Sequence, residues 1–483
     1  MKIHSEQNIY NLQSELSAYV ATAPYPLHMP GHKRRCAPAP GLPFAWDVTE
    51  LPGTDDLHGA DGILAAAMAR TAALWGARRS WYLVNGSTCG LLAAVRAAAP
   101  AGAEVLCARN CHKAVYHALE LGGLAAHWLT PPVDAAFGVY GSVPPALVQA
   151  ALDAHPRVAC VILTSPNYEG VCSDIAAIAK LCHARGVPLL VDEAHGAHYL
   201  PLAVPHGWAH GALAAGADLV VQSPHKTLPS LTQTALLHLN GDLVDPAEVE
   251  RQIDVFETSS PSYPLLASLD GCTGLLAAQG GALFAGWRGR LTRFSAKVAG
   301  LQRLRVLCHG GDTLADHPTF FSHDSGKILI NGAAAGLTGA ALASLVRTAG
   351  FEPEMSCGPN LLAMTSPCDT EDALDRFAAA LCGIDAAAQG PALPPAAGIL
   401  PAPGPAACTI ADAVRRPRVF CPVADAAGRT AAEYIWAYPP GVPLLAPGEE
   451  ITPQFLRACA TLTAQGTRLR HTVAGAGQLA VLG

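Results

Sequence analysis

A lysine that follows a short apolar run is the residue of this sequence best suited to covalent chemistry. Lys226 comes soon after the run 219–221, in the polar stretch Gln222-Ser-Pro-His-Lys-Thr227. A lysine in such a place is either an ordinary surface charge or a nucleophile that forms a Schiff base inside a pocket. The residues that follow the other apolar runs distinguish these two possibilities.

Polar residues at three other predicted strand ends offer what a flat anionic cofactor needs. The loop Asn85-Gly-Ser-Thr88 leads into a helical stretch, where hydroxyls and free backbone N–H groups form either an anion cradle or an ordinary helix cap. His112 follows the next run and is either a loop residue or a ring that stacks on a cofactor. Asp192 follows a fully apolar run, and a carboxylate there is costly to bury unless it meets a cation or a protonated nitrogen.

The combination of these residues favours pyridoxal phosphate as the cofactor. A lysine can form the covalent link, a carboxylate can keep the pyridine nitrogen protonated, and Ser87, Thr88 and backbone donors can hold the phosphate. Each residue alone has an ordinary structural explanation, but their succession along the chain does not. A second chemistry stays open, because His195 and His198 follow closely enough to bind a metal ion together with Asp192 or Glu193 and to serve a hydrolase.

Apolar runs that alternate with Ala-rich helical stretches predict an α/β large domain at residues 56–305. This alternation favours a mainly parallel sheet covered by helices on both faces, and ligands bind such sheets outside the carboxyl ends of the strands. The predicted strands are 80–84, 104–107, 158–163, 187–191 and 219–221, and two of the predicted helices are 88–98 and 175–184.

The two flanking regions have different patterns. Residues 1–55 contain an amphipathic helix candidate and a Pro- and Gly-rich segment, and we expect them to wrap the active-site region. Residues 306–483 predict a smaller α+β domain, with strands at 327–330 and 360–364 and helices at 339–348 and 371–381. The stretch near 386–405 is almost only Ala, Pro and Gly, which is typical of an exposed linker.

Composition excludes several classes of function. The 483-residue chain has a net charge of −7 and no basic footprint for nucleic acid. No apolar stretch reaches the roughly 18 residues of a membrane span, and the first ten residues hold no signal-peptide core. The 15 cysteines are scattered without a CxxC pair, as is typical of buried thiols in a reducing compartment. We therefore expect a cytoplasmic protein with neither a nucleic-acid nor a membrane partner.

Motifs along nearly the whole chain resemble those of the Orn/Lys/Arg decarboxylases, which have the aspartate-aminotransferase fold. The chain length is similar to that of the shorter branch of this family. The motifs are His28-Met-Pro-Gly-His-Lys33, Thr54-Asp-Asp-Leu-His58, Leu83-Val-Asn-Gly-Ser-Thr88, Arg109-Asn-Cys-His-Lys113, Asp192-Glu-Ala-His-Gly-Ala-His198, Ser223-Pro-His-Lys-Thr227, Thr258-Ser-Ser-Pro-Ser-Tyr263 and Tyr438-Pro-Pro-Gly-Val-Pro443.

The resemblance implies a fold type I large domain that binds pyridoxal phosphate, and it implies a role for each site residue. Lys226 would bear the cofactor, Asp192 would pair with the pyridine nitrogen, and His112 would stack on the ring. His195 would lie beside the ring. The residues that would bind the phosphate are Ser87, Thr88, Ser223 and His225. The family also implies a homodimer in which the loop 259–263 completes the site of the partner subunit.

The expected reaction is decarboxylation of a basic amino acid, with Lys226 and His225 as candidates for returning a proton to the α-carbon. The cationic side chain of the substrate needs a carboxylate partner. The candidates are Glu257, Asp425, Glu433 and Glu449. Arginine is favoured over lysine and ornithine, because the short branch resembles enzymes of polyamine biosynthesis. The alternatives with the same cofactor are an aminotransferase and a lyase.

Overall fold

The computed structural model describes residues 12–22, 29–30, 33–34, 41–393, 402–437, 441–464, 468–475 and 477–483. The helices are α1 (Leu12–Thr22), α2 (Ile63–Trp75), α3 (Gly86–Ala98), α4 (Lys113–Gly122), α5 (Pro145–Ala154), α6 (Ile175–His183), α7 (Pro224–Thr227), α8 (Pro246–Phe256), α9 (Tyr263–Lys297), α10 (Gly339–Thr348), α11 (Ala373–Ala387), α12 (Ile410–Arg415) and α13 (Pro453–Ala464). The strands are β1 (Arg79–Leu83), β2 (Glu104–Ala108), β3 (Ala125–Leu129), β4 (Cys160–Thr164), β5 (Val171–Cys172), β6 (Leu189–Asp192), β7 (Leu219–Gln222), β8 (Ala235–Leu239), β9 (Arg305–Val306), β10 (Ser322–His323), β11 (Lys327–Asn331), β12 (Met355–Cys357), β13 (Asn360–Met364), β14 (Arg418–Pro422), β15 (Ile435–Ala437), β16 (Pro443–Leu445), β17 (Leu469–His471) and β18 (Gln478–Leu482). No helix within the described ranges combines the length and the apolar character that a bilayer crossing requires.

The chain forms two units, and each is built from two separate segments. The first unit comprises residues 1–97 and 193–285, and the second comprises residues 98–192 and 286–483. Strand pairing joins the segments within each unit, β1 with β8 in the first and β5 with β10 in the second. The domain bounds 1–55, 56–305 and 306–483 stay predictions.

Three antiparallel strands in the order β1-β8-β7 organise the first unit. The register of the first pair runs from Arg79↔Leu239 to Leu83↔Ala235. Every residue of β7 and β8 is buried, and their Leu- and Val-rich sequences are typical of strands that are covered on both faces. The strands predicted at 80–84 and 219–221 are confirmed, whereas β8 is absent from the sequence-based prediction.

A row of buried polar side chains crosses these three strands. Ser80 lies opposite His238, which lies opposite Val220. Gln222 is two residues beyond Val220, so its side chain lies on the same face of the strands. The Ser80 hydroxyl is 2.7 Å from His238 Nδ1, and His238 Nε2 is 3.3 Å from Gln222 Oε1. Burial lowers the pKa of His238 from 6.5 to about 3, so the ring is neutral at pH 7.

A His238→Gln variant is expected to lose part of the acid sensitivity of the protein. Because the folded-state pKa of His238 lies below its unfolded value of 6.5, the unfolded chain binds the extra proton as the pH falls from about 6.5 towards 3. Between pH 7.5 and pH 5 this costs the wild-type protein about 2 kcal/mol of unfolding free energy. Urea unfolding at both pH values should show the stability gap between wild type and variant shrinking by this amount. A stability gap that is the same at both pH values would contradict the lowered pKa of His238 in the folded protein.

Four parallel strands in the order β6-β4-β2-β3 organise the first segment of the second unit. Helices α4, α5 and α6 alternate with these strands along the chain, as the sequence predicts. Thr164, the last residue of β4, lies opposite Asp192, the last residue of β6. Because parallel strands end at the same edge of a sheet, these two residues and His112, which follows β2, lie at one edge.

The second segment of the second unit contains short strands and helices of the predicted α+β kind. Its largest sheet has the antiparallel order β12-β13-β11-β9. The predicted helix at 339–348 and strand at 360–364 have the observed bounds of α10 and β13. Helix α11 continues to Ala387, two residues into the predicted linker. Residues 394–401 and most of the Pro- and Gly-rich segment at 24–35 lie outside the described residues.

A buried ion pair connects the end of β2 to the C-terminal part of the second unit. Arg109 is 1 % exposed, and its Nη2 lies 3.1 Å from Glu449 Oε2. The guanidinium also lies over the Trp128 ring, 5.1 Å from its centroid. Burial by itself would lower the pKa of Arg109, but Glu449 and Tyr116 outweigh burial and the net pKa is raised. The guanidinium therefore stays charged, and it depends on its carboxylate partner.

Candidate active site

Strand β7 and the single helical turn after it position the candidate nucleophile. β7 ends at Gln222, and α7 carries Lys226 in a half-buried position. Lys226 Nζ lies 3.1 Å from His195 Nε2. One of these nitrogens donates a hydrogen bond to the other, so the lysine contacts a group that can accept its proton and return it. Lys226 is therefore not an isolated surface charge.

Two buried hydroxyls bracket the turn that carries Lys226. Ser223 precedes α7 and Thr227 ends it, and both residues are at most 2 % exposed. Neither hydroxyl oxygen has a hydrogen-bond partner among the described residues. A buried polar group without a partner costs about 1–3 kcal/mol, and a hydroxyl can donate to an oxygen of a phosphate. These donors fit the phosphate group of pyridoxal phosphate.

The loop between β1 and α3 has the geometry of an anion cradle. Gly86 has a φ of +76°, a conformation that residues with a side chain rarely adopt, and α3 begins there. Glu257 holds the loop by accepting hydrogen bonds from the backbone N–H groups of the two residues before Gly86, at 3.0 and 3.3 Å. Ser87 is half-buried and Thr88 is exposed. Their hydroxyls therefore lie at an accessible helix start, where an anion is favoured.

A backbone carbonyl holds the His225 ring. Nδ1 of His225 lies 2.7 Å from Thr234 O, so Nδ1 carries a proton and donates it to this bond. Burial lowers the pKa of His225, and Lys226 lowers it further, against the opposing effect of the bond to Thr234. The ring is therefore neutral at pH 7 and offers Nε2 as an acceptor. The predicted role of His225 as a proton donor requires that Nε2 first gains a proton.

A buried carboxylate anchors the turn that carries His195. Glu193 Oε1 accepts a hydrogen bond from Ala212 N at 2.8 Å, and Glu193 Oε2 accepts one from the side-chain amide of Gln222 at 2.7 Å. The turn closes where Gly196 N donates to Glu193 O at 2.8 Å. The sequence gives no role to Gln222 and offers Glu193 only as an alternative metal ligand, because a contact between a strand and a distant loop leaves no local signal; in the structure both oxygens of Glu193 accept these hydrogen bonds instead.

Asp192 and His112 lie within the second unit, at the edge of its parallel strands. Asp192 is 3 % exposed, and its backbone oxygen accepts a hydrogen bond from Ser165 N at 3.1 Å. His112 is the N-cap of α4, and its Nδ1 accepts from Ala114 N at 3.2 Å. This bond fixes the orientation of the ring. Thr164 ends the strand between them, and its buried hydroxyl has no hydrogen-bond partner in the part of the chain that the structure describes.

The four carboxylates considered for the substrate side chain differ in their surroundings. Glu257 holds the loop before α3, and Glu449 pairs with Arg109. Glu433 accepts hydrogen bonds from three backbone N–H groups of the last fifteen residues, at 2.9–3.2 Å. Asp425 is exposed in a short 3-10 turn. Three of the four therefore stabilise the fold of their own unit, and a substrate would have to compete with those bonds.

The surroundings of His195 and His198 argue against the metal site considered for them with Asp192. His195 Nε2 faces the amine of Lys226, and the His198 ring packs against two aromatic rings at centroid distances of 4.3 and 5.2 Å. In the described ranges, the groups of side chains whose spacing suits a metal ion are Glu104–His127–His155 and Cys308–Asp312–His317.

The sequence matches both domain profiles of one enzyme family. The profile of the Orn/Lys/Arg decarboxylase major domain matches residues 11–328, and that of the C-terminal domain matches residues 402–468. An arginine decarboxylase of Halalkalibacterium halodurans is 31 % identical over 469 residues, which is 93 % of this chain and 92 % of that protein. The uncharacterized protein YaaO of Bacillus subtilis is 44 % identical over 225 residues, which is 46 % of each chain.

Solved structures show the same fold. The constitutive lysine decarboxylase of Escherichia coli superposes with a TM-score of 0.82 at 22 % identity, and the match covers 99 % of this chain and 82 % of that one. The expected fold class is confirmed: it is the α/β fold of the pyridoxal-phosphate-dependent transferases, with a mainly parallel sheet and a C-terminal α+β region.

Proposed function

Because this chain belongs to the Orn/Lys/Arg decarboxylase family and is a decarboxylase of a basic amino acid, we propose that its substrate is arginine and that its cofactor is pyridoxal phosphate. The observation that carries the proposal is the 3.1 Å contact between Lys226 Nζ and His195 Nε2 in a turn bracketed by two buried hydroxyls. A half-buried amine beside a proton acceptor is what covalent attachment of a carbonyl cofactor requires.

The side chains of this chain would divide the work of holding the cofactor and moving protons. Ser223, Ser87 and Thr88 would donate hydrogen bonds to the phosphate, and the positive end of α3 would add to its binding. Asp192 would accept a hydrogen bond from the pyridine nitrogen and keep it protonated. Bound pyridoxal phosphate would accept the electrons that the departing carboxylate leaves behind.

Proton transfer at the substrate would centre on Lys226. After loss of carbon dioxide the α-carbon needs a proton, and the amine of Lys226 is the proposed donor. His195 Nε2 lies at hydrogen-bond distance from that amine and would replace the proton that it gives away. His112, with its ring oriented by the bond from Ala114 N, would stack on the cofactor and keep water from one face. His225 would bind the phosphate once its Nε2 has gained a proton.

Arginine is the proposed substrate because a relative that matches 93 % of this chain is an arginine decarboxylase. The amine product would be a polyamine precursor, and the cytoplasm is the proposed location. The cysteines of the described residues are free thiols, as a reducing compartment requires. The less favoured alternatives, an aminotransferase, a lyase and a metal-dependent hydrolase, have no comparable support.

A substrate panel tests this proposal. The purified protein, loaded with pyridoxal phosphate, is expected to release carbon dioxide from L-arginine with a kcat/KM at least about 10-fold higher than from L-lysine or L-ornithine. The measurement is carbon dioxide release at several concentrations of each amino acid. A preference for lysine or ornithine would overturn the proposed substrate and leave the reaction class intact. Release from none of the three would overturn the activity.

We also propose that the enzyme is a homodimer in which the loop 259–263 reaches the site of the partner subunit. Both ends of this loop are fixed within the first unit, since His58 Nε2 donates to Thr258 O at 2.9 Å and the Tyr263 hydroxyl donates to Asp55 O at 2.6 Å. Ser259 and Ser260 between them are exposed. A loop held at both ends with an exposed middle suits contact with a second copy. Light scattering on the purified protein would give the mass.

A further inference from the structure

A chain of four buried polar side chains runs through the first unit towards Lys226. Ser80, His238, Gln222 and Glu193 are each at most 3 % exposed. The Ser80 hydroxyl lies 2.7 Å from His238 Nδ1, His238 Nε2 lies 3.3 Å from Gln222 Oε1, and Gln222 Nε2 lies 2.7 Å from Glu193 Oε2. Buried polar groups cost stability unless they are paired, and apolar residues would pack these strands without that cost. The row therefore calls for an explanation beyond packing.

The direction of each hydrogen bond in this chain follows from the chemistry of the groups. Gln222 Oε1 can only accept, so His238 Nε2 donates to it and the neutral ring leaves Nδ1 to accept from the Ser80 hydroxyl. Gln222 Nε2 can only donate, so Glu193 Oε2 accepts from it. Glu193 Oε1 accepts from Ala212 N at 2.8 Å. The three hydrogen bonds between these side chains therefore all run from Ser80 towards the carboxylate of Glu193, and they fix the orientation of the Gln222 amide.

A short turn connects Glu193 to His195, which contacts Lys226. The carboxylate of Glu193 is held by Gln222, and the carbonyl oxygen of Glu193 accepts from Gly196 N at 2.8 Å. His195 lies inside this turn, with its Nε2 3.1 Å from Lys226 Nζ. We propose that Gln222 is a positioning residue which, through Glu193, holds His195 against the amine of Lys226. This inference rests on the proposed function and adds a residue outside the predicted site to it.

The test exchanges the amide of Gln222 and the carboxylate of Glu193. Q222L removes both hydrogen bonds of the amide. Q222E places a second carboxylate next to that of Glu193, and the two repel each other. In the double variant E193Q/Q222E every hydrogen bond between the four side chains can form again, because the carboxylate now at position 222 accepts from His238 and from the amide now at position 193. V220A is the packing control, since Val220 is buried, lies opposite His238 in the same sheet and has an apolar side chain.

Two properties are measured on each purified variant loaded with pyridoxal phosphate. The first is kcat and KM for carbon dioxide release, and the second is the pH midpoint of the visible absorbance of the bound cofactor, which reports the protonation of its link to Lys226. Q222L and Q222E are expected to lower kcat by about 10- to 100-fold with KM changed by less than about threefold, and to move the midpoint. E193Q/Q222E should recover kcat to within about threefold of wild type. V220A should keep the wild-type midpoint.

The positioning role is wrong if Q222L and Q222E match V220A in both properties, or if E193Q/Q222E is no better than Q222E alone. If Q222L does not fold, the comparison of Q222E with E193Q/Q222E decides by itself. Failure of the proposed function looks different, because the wild-type protein would then release no carbon dioxide or show no visible absorbance from the cofactor.

Discussion

Lys226→Ala is expected to lower kcat for carbon dioxide release from L-arginine by at least about 1,000-fold. The substitution removes both the proposed attachment point of the cofactor and the amine that lies 3.1 Å from His195 Nε2. Reduction with borohydride, followed by mass spectrometry of the digested protein, gives an independent readout. The wild-type protein should carry the reduced cofactor on the peptide that contains Lys226, and the variant should carry none.

Lys180→Ala is the matched control for this experiment. Lys180 is an exposed lysine of helix α6, so its loss should change neither the activity nor the trapped cofactor. Cofactor trapped on a lysine other than Lys226 in the wild-type protein would disprove the assigned attachment point. Full activity of Lys226→Ala would disprove its catalytic role even if the family assignment stands.

Glu449→Gln is expected to be strongly destabilising, with a loss of about 3–5 kcal/mol of unfolding free energy. The substitution keeps the shape of the side chain but leaves the guanidinium of Arg109 buried without a counter-ion. That guanidinium is 1 % exposed and lies 3.1 Å from Glu449 Oε2, so water cannot replace the carboxylate. Urea unfolding followed by circular dichroism measures the loss.

The double variant R109M/E449L separates the charge from the packing at this site. With both charged groups removed no unpaired charge is buried, so the double variant should be more stable than Glu449→Gln alone. Arg347→Gln serves as the surface control, because Arg347 and Glu352 form an exposed ion pair whose loss should have no measurable effect. A double variant that is less stable than the single one would show that the pair acts mainly by packing and hydrogen bonding.

The elements that carry the candidate site follow from local sequence pattern. Helix α10 begins where predicted because Thr338 caps it, and the hydroxyl of Thr338 accepts a hydrogen bond from Ala341 N. Lys226 and Asp192 could be singled out because each follows an apolar run that reads as a buried strand, and the strands end close to the predicted positions. Short-range signals of this kind are sufficient for individual elements and for the residues at their ends.

Contacts between distant parts of the chain have no such signal. Arg109 and Glu449 are 340 residues apart, and the local sequence around either residue does not predict its partner. The same holds for Gln222 and Glu193, since an amide in a strand is compatible with many partners. The 35-residue helix α9 contains several glycines, so its length depends on packing more than on propensity. These features became visible only in the folded chain.

The pairing of β1 with β8 has a consequence for synthesis on the ribosome. Ser80 and His238, which lie opposite each other in this pair, are 158 residues apart in the chain. At a translation rate of about 5–20 residues per second, β8 emerges about 8–30 s after β1. During that time the apolar side chains of β1 and the unpaired edge of the strand are exposed, and such segments are bound by chaperones or aggregate. A nascent chain shorter than about 240 residues is therefore not yet a folding unit, and slow translation would lengthen its exposure.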